Sequence, residues 1–247
     1  PAEAAARRAM ELRHDEPWAH HALAHVMLTQ GRVAEGARFM ESVAETWTDL
    51  NSFMRSHNWW HLALFYLSQG RHDDVRAAYD QHIWGLEKDY SQDQVGAVSL
   101  LARMEFAGVD VGDRWKDVAD HVARAAETTA HDHAAWAEVA LPAARGIAAH
   151  AKGDWATAIR ELGLALPRMA ECGGSHAQRD LFEQIHLDAL VRDGRASAAQ
   201  QVLEMRRTYD PDGVPLNLLL GEVYEKTGLP DLAAQARARA ERTLAGA

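Results

Sequence analysis

Five times along this chain a glycine closes an apolar, helix-forming stretch in a small polar turn. The turns are Gln30-Gly31-Arg32, Gln69-Gly70-Arg71, Lys152-Gly153-Asp154, Asp193-Gly194-Arg195 and Thr227-Gly228-Leu229. Their spacing is close to one helical-hairpin repeat of ~34 residues, or to two. The widest interval contains Phe106-Ala107-Gly108, which reads as the missing middle turn. Glycine takes positive φ without steric cost, so each can end a helix in a left-handed cap.

The flanking residues repeat with the turns. Five residues past each clear glycine stands a small or short side chain: Gly36, Val75, Ala158, Ala199 and Ala233. Four further on come Met40, Tyr79, Leu162 and Leu203, while the last unit carries Arg237 there, as befits a repeat that caps an array. Before the glycines, Leu23 with Met27, Leu62 with Tyr66, and Leu220 with Tyr224 are paired at helical spacing. A small residue at a helix crossing, with larger ones filling the gaps around it, is the tetratricopeptide pattern. The expected fold is therefore all-α, a tetratricopeptide-like helical-hairpin superhelix (α-solenoid). It should form a single array over 1–247, lacking an N-terminal part of the full-length protein. Ala2–Arg13 reads as the second helix of a broken repeat. Helices are predicted over 17–30, 33–47, 54–69, 72–86, 91–106, 113–127, 132–152, 154–170, 176–193, 195–209, 214–227 and 230–244, with Pro17 and Pro211 between hairpins.

Charge and composition narrow the function. There are 36 acidic residues against 26 basic ones, which argues against a nucleic-acid surface, since that would need clustered cations. The single cysteine, Cys172, excludes an intramolecular disulfide and fits a reducing compartment. No stretch is long and apolar enough to span a bilayer, and no secretory signal is seen. A cytoplasmic protein without nucleic-acid or membrane partners is expected, and a homo-oligomer is compatible with the sequence.

Four blocks, in order, resemble the tetratricopeptide repeat protein 38 family. They are Trp18-Ala19-His20-His21-Ala22-Leu23-Ala24-His25-Val26; His57-Asn58-Trp59-Trp60-His61-Leu62-Ala63-Leu64; Ser99–Glu105 with Gly112-Asp113-Arg114-Trp115; and Gly173–Asp180. The likeness covers about 17–190, roughly the C-terminal half of a family member. The resemblance implies a helical-repeat fold and says little of activity. The chain departs from the family at Ala137-Glu138-Val139-Ala140, where members tend to carry Asn-Asp-x-His. If that stretch belongs to the family's site, the chemistry here is altered.

Fourteen histidines are many for this length. His21 and His25 lie four apart, as do His57 and His61, and such residues share a helix face. Counted from the turn glycines, both pairs fall at first-helix positions that face the concave groove of tetratricopeptide arrays. Peptide-binding arrays hold a carboxylate at these positions. Three readings stay open: a divalent transition-metal site of His21, His25, His57 and His61; a metal-free recognition or acid/base site; or hydrogen-bonded structural histidines. The H-E-x-x-H motif of zinc hydrolases is absent. Trp59 is expected in the core, and Trp60 in the groove, where it could stack on a planar or cationic ligand.

A second candidate is Gly173–Asp180. Ser175 reads as the N-cap of a helix opening at His176, and a helix N-terminus attracts anions. His176, Gln178 and Arg179 could supply further donors, with Asp180 orienting Arg179. Arg103 and Arg114 are expected in ion pairs with Glu105, Asp93 or Asp80. His131 and His133 are expected to be solvated, and Cys172 beside His176 is a remote candidate nucleophile. Two functions follow. In the first, a small anionic ligand or peptide binds in a groove lined by His21, His25, His57, Trp60, His61, His176, Gln178, Arg179 and Asp180. In the second, a small-molecule enzyme uses the same groove, with His57, His61 and His176 catalytic, through metal-free histidine chemistry or a His-ligated metal.

Overall fold

The structure, a computed structural model, describes residues 1–85, 88, 90–127 and 133–245. His131, expected to be solvated, lies outside them, as do the expected helix limits at Leu86 and Asp132. Among the described residues all regular structure is helical. The helices are α1 (Ala2–Leu12), α2 (Pro17–Thr29), α3 (Val33–Val43), α4 (Ser52–Ser68), α5 (His72–Ala78), α6 (Ser91–Phe106) and α7 (Arg114–Ala125). They continue as α8 (Leu141–Ala151), α9 (Trp155–Ala165), α10 (His176–Arg192), α11 (Ala196–Arg207), α12 (Val214–Lys226) and α13 (Pro230–Ala245).

The repeating turn has one construction. Gly31, Gly70, Gly108, Gly153, Gly194 and Gly228 all have φ between 68° and 76°. In each, the N–H of the following residue donates to the carbonyl five residues back: Arg32 to Met27 at 2.9 Å, Val109 to Met104 at 2.9 Å, and Leu229 to Tyr224 at 2.8 Å. This is the Schellman cap, which satisfies an orphaned helix carbonyl while reversing the chain. Gly108 is built like the other five, so the sixth turn is where the spacing placed it.

Helix ends differ from expectation where proline intervenes. The stretch expected as one helix to position 152 contains a π-helical turn, Ala135–Ala140, immediately before Pro142 in the first turn of α8. Likewise, α9 stops at Ala165 and tightens into a 3-10 segment, Leu166–Cys172, which contains Pro167. Proline lacks an N–H and clashes with the preceding turn, so the chain must widen or tighten there. Similar changes of winding, without proline, end α3 (3-10, Ala44–Trp47) and α5 (π, Tyr79–Ile83). Pro17 occupies the first turn of α2, where its missing N–H costs nothing.

Two compact units are distinguishable, 1–144 with 167–181, and 145–166 with 182–247. In the first, Leu23, Met27, Met40, Leu62, Phe65 and Leu100 are buried. In the second, Ala158, Ala199 and Ala233 are the small residues at the crossings, packed in one cluster with Leu187, Leu203, Leu220 and Tyr224. Arg237 pairs at 2.6 Å with Glu225 and stays partly exposed, as expected of a capping position.

Gly36 carries the close-approach argument. A Cβ built there would lie 2.2 Å from Cε1 of Phe65, whose ring is fully buried. Replacing Gly36 by Ala forces that ring to move against a packed core, and we expect a loss of about 1–3 kcal/mol. Urea unfolding of Gly36→Ala checks this; a midpoint at or above that of the parent chain would contradict it.

Candidate metal centre

Two helices supply the centre, and each is firmly started. Glu16 caps α2 by accepting from the Trp18 N–H at 3.3 Å, and Asn51 caps α4 by accepting from the Met54 N–H at 2.9 Å. Helical spacing then puts His21 and His25 on one face of α2, and His57 and His61 on one face of α4. The two faces meet. One ring nitrogen from each of the four histidines lies within 4.8 Å of the other three. His21 Nε2 is 3.0 Å from His25 Nε2 and 3.0 Å from His57 Nε2. Ring centroids of His25 and His61 are 4.4 Å apart, and those of His57 and His61 are 4.7 Å apart. His57 and His61 are each 1% exposed, whereas His21 and His25 are half-buried. The accessible edge is thus on α2, where the exposed indole of Trp18 stands edge-on to His21 at 5.8 Å.

Burial, then the neighbouring rings, drives protons off this cluster. The His21 pKa is lowered to about 4 by desolvation and then by His25. That of His57 is lowered to about 3 by desolvation, His21 and His25. His25 is lowered by desolvation. His61 is pushed far below the usual imidazole range by burial, by the other three rings and by the Arg103 guanidinium. Four neutral imidazoles result, each with one N–H and one lone pair. His21 Nε2 faces two other Nε2 atoms, so a single proton cannot serve both contacts well. His57 Nδ1 and both nitrogens of His61 have no hydrogen-bond partner. A buried polar atom without a partner costs about 1–3 kcal/mol. His20, next in sequence, shows the contrast: its Nδ1 accepts from Trp47 Nε1 at 3.0 Å and its Nε2 pairs with the His14 carbonyl at 2.8 Å.

The donor set suits an ion. Metal–imidazole bonds of about 2.0–2.1 Å in a tetrahedron imply nitrogen–nitrogen edges of about 3.4 Å. Separations from 3.0 Å to at most 4.8 Å reach that by side-chain rotation. Imidazole nitrogen suits zinc, copper, nickel and iron.

Around the rings the structure revises several sequence expectations. Trp60 is 1% exposed, stacked on His57 at 6.0 Å, with its indole N–H buried and unpartnered. It follows His57 by three residues and is therefore buried on the same face, where a groove position was expected. Trp59, expected in the core, is the half-buried one and stacks on His82 at 3.7 Å. Arg103 pairs with none of its three expected carboxylates. Its Nη1 donates to Ser99 Oγ at 2.5 Å, its Nη2 donates to the Ala177 carbonyl at 3.0 Å, and its Cζ lies 5.2 Å from the Trp60 ring. Arg103, expected in an ion pair, thus lies against Trp60 instead. Its signal was Ser99 four residues earlier, a buried hydroxyl in an apolar helix. Arg114 does pair with Asp80, at 2.6 Å.

The Gly173–Asp180 block is tied to itself. Ser175 and Gln178 form a reciprocal capping box: the Ser175 N–H donates to Gln178 Oε1 at 2.8 Å, and the Gln178 N–H donates to Ser175 Oγ at 3.3 Å. Arg179 donates to the carbonyls of Gly173 and Gly174. The charge of Asp180 acts on Arg103. His176 is exposed and is not among the converging rings. Cys172 is 1% exposed, with its Sγ 3.4 Å from the Ala135 carbonyl. Desolvation pushes its thiol up to about 12, which removes it as a nucleophile. Glu138, within the departure from the family pattern, pairs with Arg168 at 2.5 Å. No described helix is long and apolar enough to cross a membrane.

No family model matches the chain. Similar solved structures include the crystal structure of the APC/C hetero-tetramer Cut9-Hcn1, at 14% identity and a TM-score of 0.58, covering 95% of this chain and 41% of that one. Another is the human IFIT1 dimer with PPP-AAAA, at 16% identity and a TM-score of 0.40, covering 97% of this chain and 58% of that one. The chain thus spans less than two thirds of either. The first likeness shows the fold, a tetratricopeptide-type α-solenoid; the second is too distant to carry an argument.

The neutral rings make stability depend on acid. Histidine in the unfolded chain titrates near 6.5, above the folded values, so the unfolded state takes up more protons as pH falls. The stability from this cluster is complete above about pH 6.5 and is lost as pH falls toward the folded values of about 4 and about 3. In chelator-treated protein the urea midpoint should fall between pH 7 and pH 4.5, and His57→Phe with His61→Leu should flatten that slope. The buried His20 and the half-buried His82, His121 and His186, also lowered by desolvation, contribute equally to both proteins. Identical slopes would locate the acid sensitivity elsewhere.

Proposed function

We propose that this chain is a tetratricopeptide-type binding protein that holds one divalent transition-metal ion through His21, His25, His57 and His61. The observation that carries this reading is the convergence of four imidazole nitrogens, neutral and incompletely hydrogen-bonded, from two adjacent helices. Structural histidines in cores are normally satisfied, as His20 is here. A metal-free recognition site would leave His21 Nε2, with one proton or one lone pair, shared between two ring nitrogens at 3.0 Å. An ion accepts all four at once.

The reading also includes membership of the tetratricopeptide repeat protein 38 family, on the strength of the four sequence blocks. It includes a reducing compartment, in keeping with the lone thiol, and no nucleic-acid partner, in keeping with the acid excess.

Equilibrium dialysis against Zn2+ followed by elemental analysis tests the assignment. One zinc per chain is expected. His57→Ala and His61→Ala should each weaken zinc binding by more than the roughly 10–100-fold that loss of a mere supporting hydrogen bond costs. Zinc uptake no greater in the parent chain than in a variant lacking all four histidines would overturn it.

A further inference from the structure

The second question is what balances the charge of such an ion. Four neutral imidazoles leave both positive charges of a divalent ion in place, and the histidine group contains no carboxylate. Two of its members are almost fully buried. A net charge in a low-dielectric site is expensive unless it is paired.

Arg103 makes the imbalance worse. Its guanidinium is largely desolvated, sits against the face of Trp60, and acts electrostatically on His61. Its Nη1 is used on Ser99 and one Nη2 hydrogen on the Ala177 carbonyl. The Nε–H and the second Nη2 hydrogen have no partner among the described residues. Asp180 acts on Arg103; with the rings neutral, the Arg103 guanidinium is the full charge that acts on His61. The indole N–H of Trp60, whose ring stands edge-on to His61 at 5.1 Å, is buried and has no acceptor. The Trp60 N–H and the Arg103 guanidinium thus place free donors and a positive charge beside the neutral rings.

Resting on the metal reading, we infer that the ion binds a small monovalent anion of carboxylate size as an exogenous ligand, received by the Trp60 N–H and the Arg103 guanidinium. The half-buried edge of His21 and His25, flanked by the exposed Trp18, is the side of entry. Taking the carboxylate expands the ion from four ligands to five, and the centre is then a Lewis-acidic binding site rather than a closed structural one. Imidazoles hold the ion, while the arginine and the indole select the charge and size of its partner.

The Co2+-loaded chain separates the two claims. Cobalt gives a visible ligand-field band whose position and intensity report coordination, and azide and acetate are titrated against it in turn. The expected result is a band on loading that shifts saturably with each anion. Arg103→Met and Trp60→Phe should each weaken the anion response by about tenfold or more while taking up cobalt as the parent does. Trp60→Phe keeps an aromatic face while losing the N–H and the five-membered ring, so it serves if Arg103→Met does not fold by circular dichroism. Absence of any cobalt band overturns the metal reading itself. A band unmoved by either anion overturns the present inference and leaves the metal reading standing. An anion response of unchanged affinity in both variants removes Arg103 and Trp60 from the role given to them.

Discussion

Reversal of the chain at a left-handed glycine, with the next N–H returned to the carbonyl of a buried residue, is the constraint on which the rest depends. The carbonyls so used belong to Met27, Tyr66, Met104, Ala149, Leu190 and Tyr224. At Met27, Tyr66 and Tyr224 the same residue anchors the core with its side chain and closes the turn with its backbone. Turning and packing are therefore set by one position, so the second helix of each hairpin starts in a fixed register with the first. Gly36 can then meet Phe65, and Ala158, Ala199 and Ala233 can sit fully buried at crossings. The register also decides that the faces of α2 and α4 bearing histidine look at one another. A slip of one residue on either helix would rotate its pair by roughly 100° and break the cluster.

The centre runs against the usual economy of a helical core. Buried polar groups are ordinarily satisfied, and His150 shows the ordinary solution elsewhere, its Nε2 2.7 Å from the Asp188 carboxylate. Among the described residues His57 Nδ1, both nitrogens of His61 and the Trp60 N–H are left without a partner. Interiors retain unsatisfied groups of this kind at a cost, and sites of function are where such costs are commonly tolerated.

What could be read from sequence was what is local in the helix. The glycine turns, the small residues at the crossings and the two histidine pairs all follow from spacing along one helix, and spacing was enough to bring the four rings together. What depends on a third helix was not legible. Trp59 and Trp60 exchanged places because α4 packs on more than one neighbour, and a single periodicity cannot say which of its faces stays open. Arg103 was assigned a carboxylate by charge alone, whereas burial gave it a hydroxyl, a carbonyl and an indole face. The Gly173–Asp180 block looked like a site because its residues are polar donors. In the fold, Gln178 and Arg179 spend that capacity on closing their own turn, in a capping box that the Ser175–Gln178 spacing already contained. Pro142 and Pro167 are local signals too, and the π-helical and 3-10 segments beside them are where the uniform helical period fails.

The division of the ligands between α2 and α4 has a mechanical consequence. Between the two pairs lies the whole of α3 with the turns on either side of it, so an ion bound to both would act as a clasp around that segment. Cross-linking a loop of this order removes chain entropy from the unfolded state worth about 3–4 kcal/mol on a simple polymer model. Opening of α3 away from its neighbours would then require release of the ion or unfolding beyond the clasp. Resistance of this part of the chain to proteases would rise and fall with ion supply, even though no covalent bond is made.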